Sequence, residues 1–66
     1  MQIQLNGEPR EIPEGLNVSA LLAHLGLNPG RVAIERNLEI LPRAQWPTTP
    51  VLEGDRFEIV QFVGGG

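Results

Sequence analysis

Asn17-Val18-Ser19-Ala20-Leu21-Leu22-Ala23-His24-Leu25-Gly26 is the one segment of this chain that reads as a well-formed helix. Val18, Leu21, Leu22 and Leu25 fall at i, i+3, i+4 and i+7, a single apolar stripe that needs a core to face. Asn17 stands where an N-cap accepts a bond from an otherwise unpaired first-turn amide. Gly26 stands where a left-handed C-cap is needed. Asn28-Pro29-Gly30 then blocks any continuation of the helix.

The segments on both sides read as strands. Met1-Gln2-Ile3-Gln4-Leu5 alternates apolar and polar, the period of a strand with one buried face. Asn6-Gly7 is a two-residue hairpin signal, since both residues tolerate positive φ. Residues 8–12 return as a second strand, with Pro9 suited to an edge. Pro13-Glu14-Gly15 turns the chain into the helix. After it, residues 32–35 read as a third strand, Arg36-Asn37 as a tight turn and residues 38–41 as a short fourth strand. Residues 42–46 suit one helical turn with Pro42 at its start, and residues 47–50 look irregular. Glu53-Gly54-Asp55 turns into a last strand, residues 56–63. There Phe57 and Ile59, followed by Gln61 and Val63, face one side, and Glu58, Val60 and Phe62 the other. One helix on one face of a mixed four- to five-stranded sheet is a two-layer α+β domain. Residues 1–63 form that domain, and residues 64–66 form a flexible Gly tail.

Size and composition exclude most kinds of chemistry. With 66 residues, a domain buries only about 60% of the surface its unfolded chain exposes, which leaves little room for a shaped catalytic cavity. Cysteine is absent and all five basic residues are arginines. Thiol, Schiff-base and lysine-nucleophile chemistry are thereby excluded, and no side-chain lysine can accept an acyl group. The net charge is −3, with no basic stripe to hold nucleic acid. No apolar run approaches the ~20 residues of a membrane span, and no leader pattern is readable, so the expected location is the cytoplasm.

The remaining side chains have ordinary explanations. His24, the only histidine, has no partners at metal-ligand spacing and suits a solvated position near a helix C-terminus. Ser19 and His24 share a helix surface, which excludes a serine-histidine-acid set. Glu35, Glu39, Glu53, Asp55 and Glu58 are expected to be solvated, in turns or on polar strand faces. Trp46 is expected to close one end of the core. Val60 and Phe62 lie on the less buried face of the last strand, where an apolar patch beside a tail marks a partner surface; a sheet buried on both faces is the competing explanation. Gly64-Gly65-Gly66 is no phosphate loop, because no helix follows it. A glycine thread of about 10 Å reach can enter a channel that excludes side chains, and it can deliver a carboxylate into another protein's active site.

An N-terminal hairpin, a single helix and a last strand running into glycines resemble the ubiquitin-like, β-grasp sulfur carriers of the ThiS/MoaD family over essentially the whole chain. The residues that carry the resemblance are Val32-Ala33-Ile34-Glu35-Arg36-Asn37, then Ile40-Leu41-Pro42-Arg43 with Trp46. Gly54-Asp55 leading into Glu58-Ile59-Val60-Gln61-Phe62-Val63-Gly64-Gly65-Gly66 completes the match. The segment with Pro42-Arg43 and Trp46 favours the ThiS members, which serve the thiazole of thiamine, over MoaD, a molybdopterin synthase subunit.

The resemblance implies a carrier and not an enzyme. A ThiF-type partner would adenylate the Gly66 carboxylate with ATP and magnesium, and a cysteine desulfurase relay would supply sulfur. Thiazole synthase ThiG would take it from the resulting thiocarboxylate. Gly64, Gly65 and Gly66 would enter partner active sites, with Gly65 and Gly66 on the family's diglycine. Val60, Phe62 and Val63 would form the partner-binding surface, with no catalytic residue and no metal on this chain. The alternatives are sulfur delivery to molybdopterin or to a tRNA base, a ubiquitin-like protein modifier, and a structural domain with an idle tail.

Overall fold

A computed structural model describes residues 1–63. Strands β1 (Gln2–Leu5) and β2 (Glu8–Glu11) form the first hairpin. Its turn residues, Asn6 and Gly7, take φ of 51° and 84°, the primed-turn conformation that matches strand twist. β2 is the outer strand on its side of the sheet, where Pro9 has no ladder bond to forfeit. Helix α1 (Val18–Leu25) begins as its caps dictate. Asn17 Oδ1 accepts from the Ala20 N–H at 2.7 Å, and Gly26 at φ 74° sends its N–H back to the Ala23 carbonyl.

A 3₁₀ turn (Pro29–Arg31) leads into β3 (Val32–Arg36), β4 (Glu39–Ile40), a second 3₁₀ segment (Arg43–Thr48) and β5 (Arg56–Gln61). The strand order is β2-β1-β5-β3-β4. β5 runs parallel to β1 and antiparallel to β3, so the last strand sits at the centre of a mixed sheet, with α1 covering one face. The arrangement is the ubiquitin-like β-grasp expected from the sequence.

The core lies between the layers. Val18, Leu21 and Leu22 of α1 meet Ile3, Ile34, Phe57 and Ile59 of the sheet, and Ile12, Val51 and Trp46 close the ends. Each such side chain contributes about 1.5–3 kcal/mol relative to exposure. Trp46 is buried, and its indole N–H donates to the Leu41 carbonyl at 2.9 Å. The Arg43 guanidinium lies 4.6 Å over the Trp46 ring and donates to the Pro29 and Val32 carbonyls. This ties the second 3₁₀ segment to the start of β3.

Four local expectations are corrected. The β3–β4 turn is Asn37-Leu38, not Arg36-Asn37, because Arg36 pairs with Phe57 and Glu39 as a strand residue. The fourth strand shrinks accordingly, and Leu38 takes φ of 72° in full solvent. That conformation costs a bulky L-residue roughly 1–2 kcal/mol. Asp55 is only 5% exposed instead of solvated. Finally, β5 stops at Gln61, two residues before the expected end: Gln61 pairs with Val32 on the inward row but is itself exposed, and Val63 lies exposed beyond the strand. The tail expected at residues 64–66 lies outside the described residues.

Candidate functional site

The expected partner surface is the exit of β5, and its neighbours hold it in place. At the strand's start, Asp55 takes a two-point bond from Arg36 (Nε to Oδ2 3.0 Å, Nη2 to Oδ1 3.2 Å) and accepts the Leu52 N–H at 2.8 Å. Asn37 donates its N–H to the Arg56 carbonyl and accepts the Arg56 N–H on Oδ1. Midway, β1 has already ended, having paired only Gln4 and Leu5 with β5. The Asn6 side chain takes over the ladder. Its Oδ1 accepts the Ile59 N–H at 2.8 Å, and its Nδ2 donates to the Ile59 carbonyl at 3.3 Å. An amide side chain thus stands in for a missing peptide group. At the exit, the Phe62 N–H donates to the Arg31 carbonyl at 2.7 Å, so backbone pairing persists one residue beyond the strand.

The sheet face away from α1 is uncovered. Directly paired residues share a face, so the register Ala33 with Val60, Glu35 with Glu58 and Glu35 with Ile40 defines one outward row. Val60 is 60% exposed, Phe62 54% and Val63 95%. Of the two explanations for these side chains, burial under a second layer is therefore excluded among the described residues. A shallow groove of about 200 Å³ runs across this face, lined by Ala33, Glu35, Ile40, Glu58 and Val60. Its lining residue nearest the C-terminus is Val60, three residues before Val63.

The ionisable groups that line the groove are the Glu35 and Glu58 carboxylates, with no histidine beside them. Ser19 and His24 are exposed on α1, on the opposite layer. Among the described residues, no three His, Cys, Asp or Glu side chains gather to hold a metal ion, and no helix is long and apolar enough to cross a membrane. Asp55 was reachable as a carboxylate from the sequence, but its pairing was not. The sequence marks Asn6 as a turn residue, and its amide side chain also makes the ladder contact. Gly64, Gly65 and Gly66, the residues expected to enter partner sites, lie outside the described residues. The geometry therefore supplies a held strand end with an open apolar face beside it.

The ThiS family model matches residues 3–66. A thiazole synthase of Paramagnetospirillum magneticum is 46% identical over 66 residues, a match that takes in 100% of this chain and 20% of that protein. The chain thus spans about a fifth of that relative's length. The sulfur carrier protein ThiS of Escherichia coli is 33% identical over 66 residues, covering 100% of both. Among solved structures, the thiamine biosynthesis protein ThiS of Geobacter metallireducens matches with a TM-score of 0.85 and 38% identity over 100% of both chains.

Proposed function

The chain belongs to the ThiS family, and on that footing we propose that it is a sulfur carrier of thiamine biosynthesis whose Gly66 carboxyl group carries the sulfur. A free carboxylate is a poor acyl donor, so the cycle begins with activation. A ThiF-type enzyme holding ATP and magnesium guides the carboxylate oxygen onto the α-phosphorus, and pyrophosphate leaves. The outer sulfur of a persulfide from a cysteine desulfurase relay then attacks the acyl-adenylate carbon, and a thiol reductant cleaves the resulting acyl disulfide, bringing the sulfur to the sulfide level. AMP leaves with the original oxygen, and a thiocarboxylate remains on Gly66. Thiazole synthase takes the sulfur from it. Beyond that carboxylate, the carrier contributes no side-chain acid, base or nucleophile in this reading.

The observation that carries this reading is the match along residues 3–66 to a family whose members include sulfur carriers of the same length. The uncovered Val60–Phe62 face next to the glycines supports it, because a carrier must dock before it threads. The relative named thiazole synthase, in which a segment like this chain makes up 20% of the protein, supports the choice of sulfur acceptor.

ATP–pyrophosphate exchange by a ThiF-type enzyme tests the first step. The intact chain is expected to stimulate exchange in a saturable manner. Phe62→Asp should raise the half-saturating concentration about tenfold through a lost apolar anchor, while the unfolding free energy stays within about 0.5 kcal/mol of the parent, as for a surface change. No stimulation by the intact chain contradicts activation, and a large stability loss in Phe62→Asp contradicts its place on the docking face.

A further inference from the structure

Glu35 and Glu58 stand directly opposite each other on β3 and β5. Their side chains share the outward face, and like charges so placed oppose the pairing that holds them together. Neither carboxylate takes part in an ion pair or a hydrogen bond among the described residues. Arg56, two residues along β5 on the same face, joins neither of them. Beside the pair, Ile40 lies opposite Glu35 and Val60 opposite Ala33, so the groove has an apolar floor and two carboxylates along one wall.

We propose that this groove receives an arginine side chain of the adenylating enzyme, its stem laid on Ala33, Ile40 and Val60 and its guanidinium between Glu35 and Glu58. This inference rests on the carrier reading above. An amphipathic stem with a charged head is the side chain that matches an apolar floor ending in charge. Arginine fits better than lysine, because its planar fork offers five donors and can satisfy two carboxylates on neighbouring strands at once. The docked cation would also remove the repulsion that the free carrier holds in its sheet. Val60 precedes Val63 by three residues, about 10 Å of extended chain, so a partner clamped at the groove has the glycines within reach of a nearby active site. With a net charge of −3 on the carrier, the same pair steers encounter with a basic surface.

The test compares the intact chain with Glu35→Gln/Glu58→Gln, which keeps shape and removes both charges. At about 50 mM salt, where exposed charges are weakly screened, affinity for the ThiF-type enzyme is expected to fall on the order of tenfold. The difference should close in high salt. The double variant should unfold at the same or a higher temperature, since repulsion is removed. Phenylglyoxal labelling of the enzyme should find one arginine protected by the intact chain and left reactive by the double variant. Equal affinities for the two chains, or an arginine protected equally by both, overturns the assignment. Protection seen only on thiazole synthase also overturns it, by placing the arginine on another partner. Failure of the intact chain to be adenylated overturns the carrier reading instead, so the two failures are distinct.

Discussion

Removing Gly65 and Gly66 is expected to abolish adenylation and sulfur loading while leaving the unfolding free energy within about 0.5 kcal/mol of the intact chain. The loss of function follows from reach and width. Two residues of extended chain span about 7 Å, so a carboxylate left on Gly64 stops short of an ATP held at the end of a channel. A bulkier segment cannot replace the glycines, because a Cβ widens the thread. The lack of effect on folding follows from where the core ends. Among the described residues, Ile59 is the last buried side chain of β5, and the last backbone bond of that strand end is Phe62 to Arg31. Pyrophosphate exchange and thermal unfolding on the same sample separate the two effects. A deletion that unfolds shows a structural tail, and one that still loads sulfur shows that the carrying atom lies elsewhere.

The second large effect is expected at Asp55. Asp55→Ala should cost about 2–4 kcal/mol, somewhat below the full cost of breaking a buried pair because Arg36 keeps partial access to water, at 25% side-chain exposure. The substitution removes the two-point Arg36 contact, the acceptor for the Leu52 N–H and a contact from Asn37 Nδ2 at 3.3 Å. The Leu52 amide is then left without its partner. Small domains have total stabilities near the lower end of 5–15 kcal/mol, so such a loss is a large share of the whole. Asp55→Asn should cost roughly half as much, since an amide oxygen can still accept the Leu52 N–H while the charge is lost. Urea unfolding of both variants measures this. A cost under about 1 kcal/mol for Asp55→Ala would mean that the cluster behaves as an exposed ion pair.

Asp55 also marks the limit of what the sequence discloses. Its partner Arg36 lies 19 residues away, and no spacing rule links the two, so the carboxylate reads as one more turn residue. The same contact explains the misplaced β3–β4 turn. Local chemistry favours Arg36-Asn37, but strand pairing and the pull of Asp55 keep Arg36 in β3 and force Leu38 into a conformation it disfavours. By contrast, α1 was legible to the residue, because its caps and stripe are local signals that agree with one another. The Asn6-Gly7 hairpin was legible for the same reason. The exposed apolar face was half legible. Alternation along β5 separates Val60 and Phe62 from Phe57 and Ile59, but only their exposure in the folded sheet shows that no second layer covers them among the described residues. Glu35 and Glu58 were visible as carboxylates, and their opposition became visible only with the β3–β5 register.

Intact-mass spectrometry is the most direct test of the carrier reading. The chain is incubated with a ThiF-type enzyme, ATP, magnesium and a sulfide-level sulfur donor, then fragmented. The expected result is an ATP-dependent mass gain equal to one oxygen replaced by one sulfur, confined to the fragment ending at Gly66 and lost again when thiazole synthase and its other substrates are supplied. An unchanged mass, under conditions that load another ThiS protein, contradicts the account, as does sulfur found on any other residue.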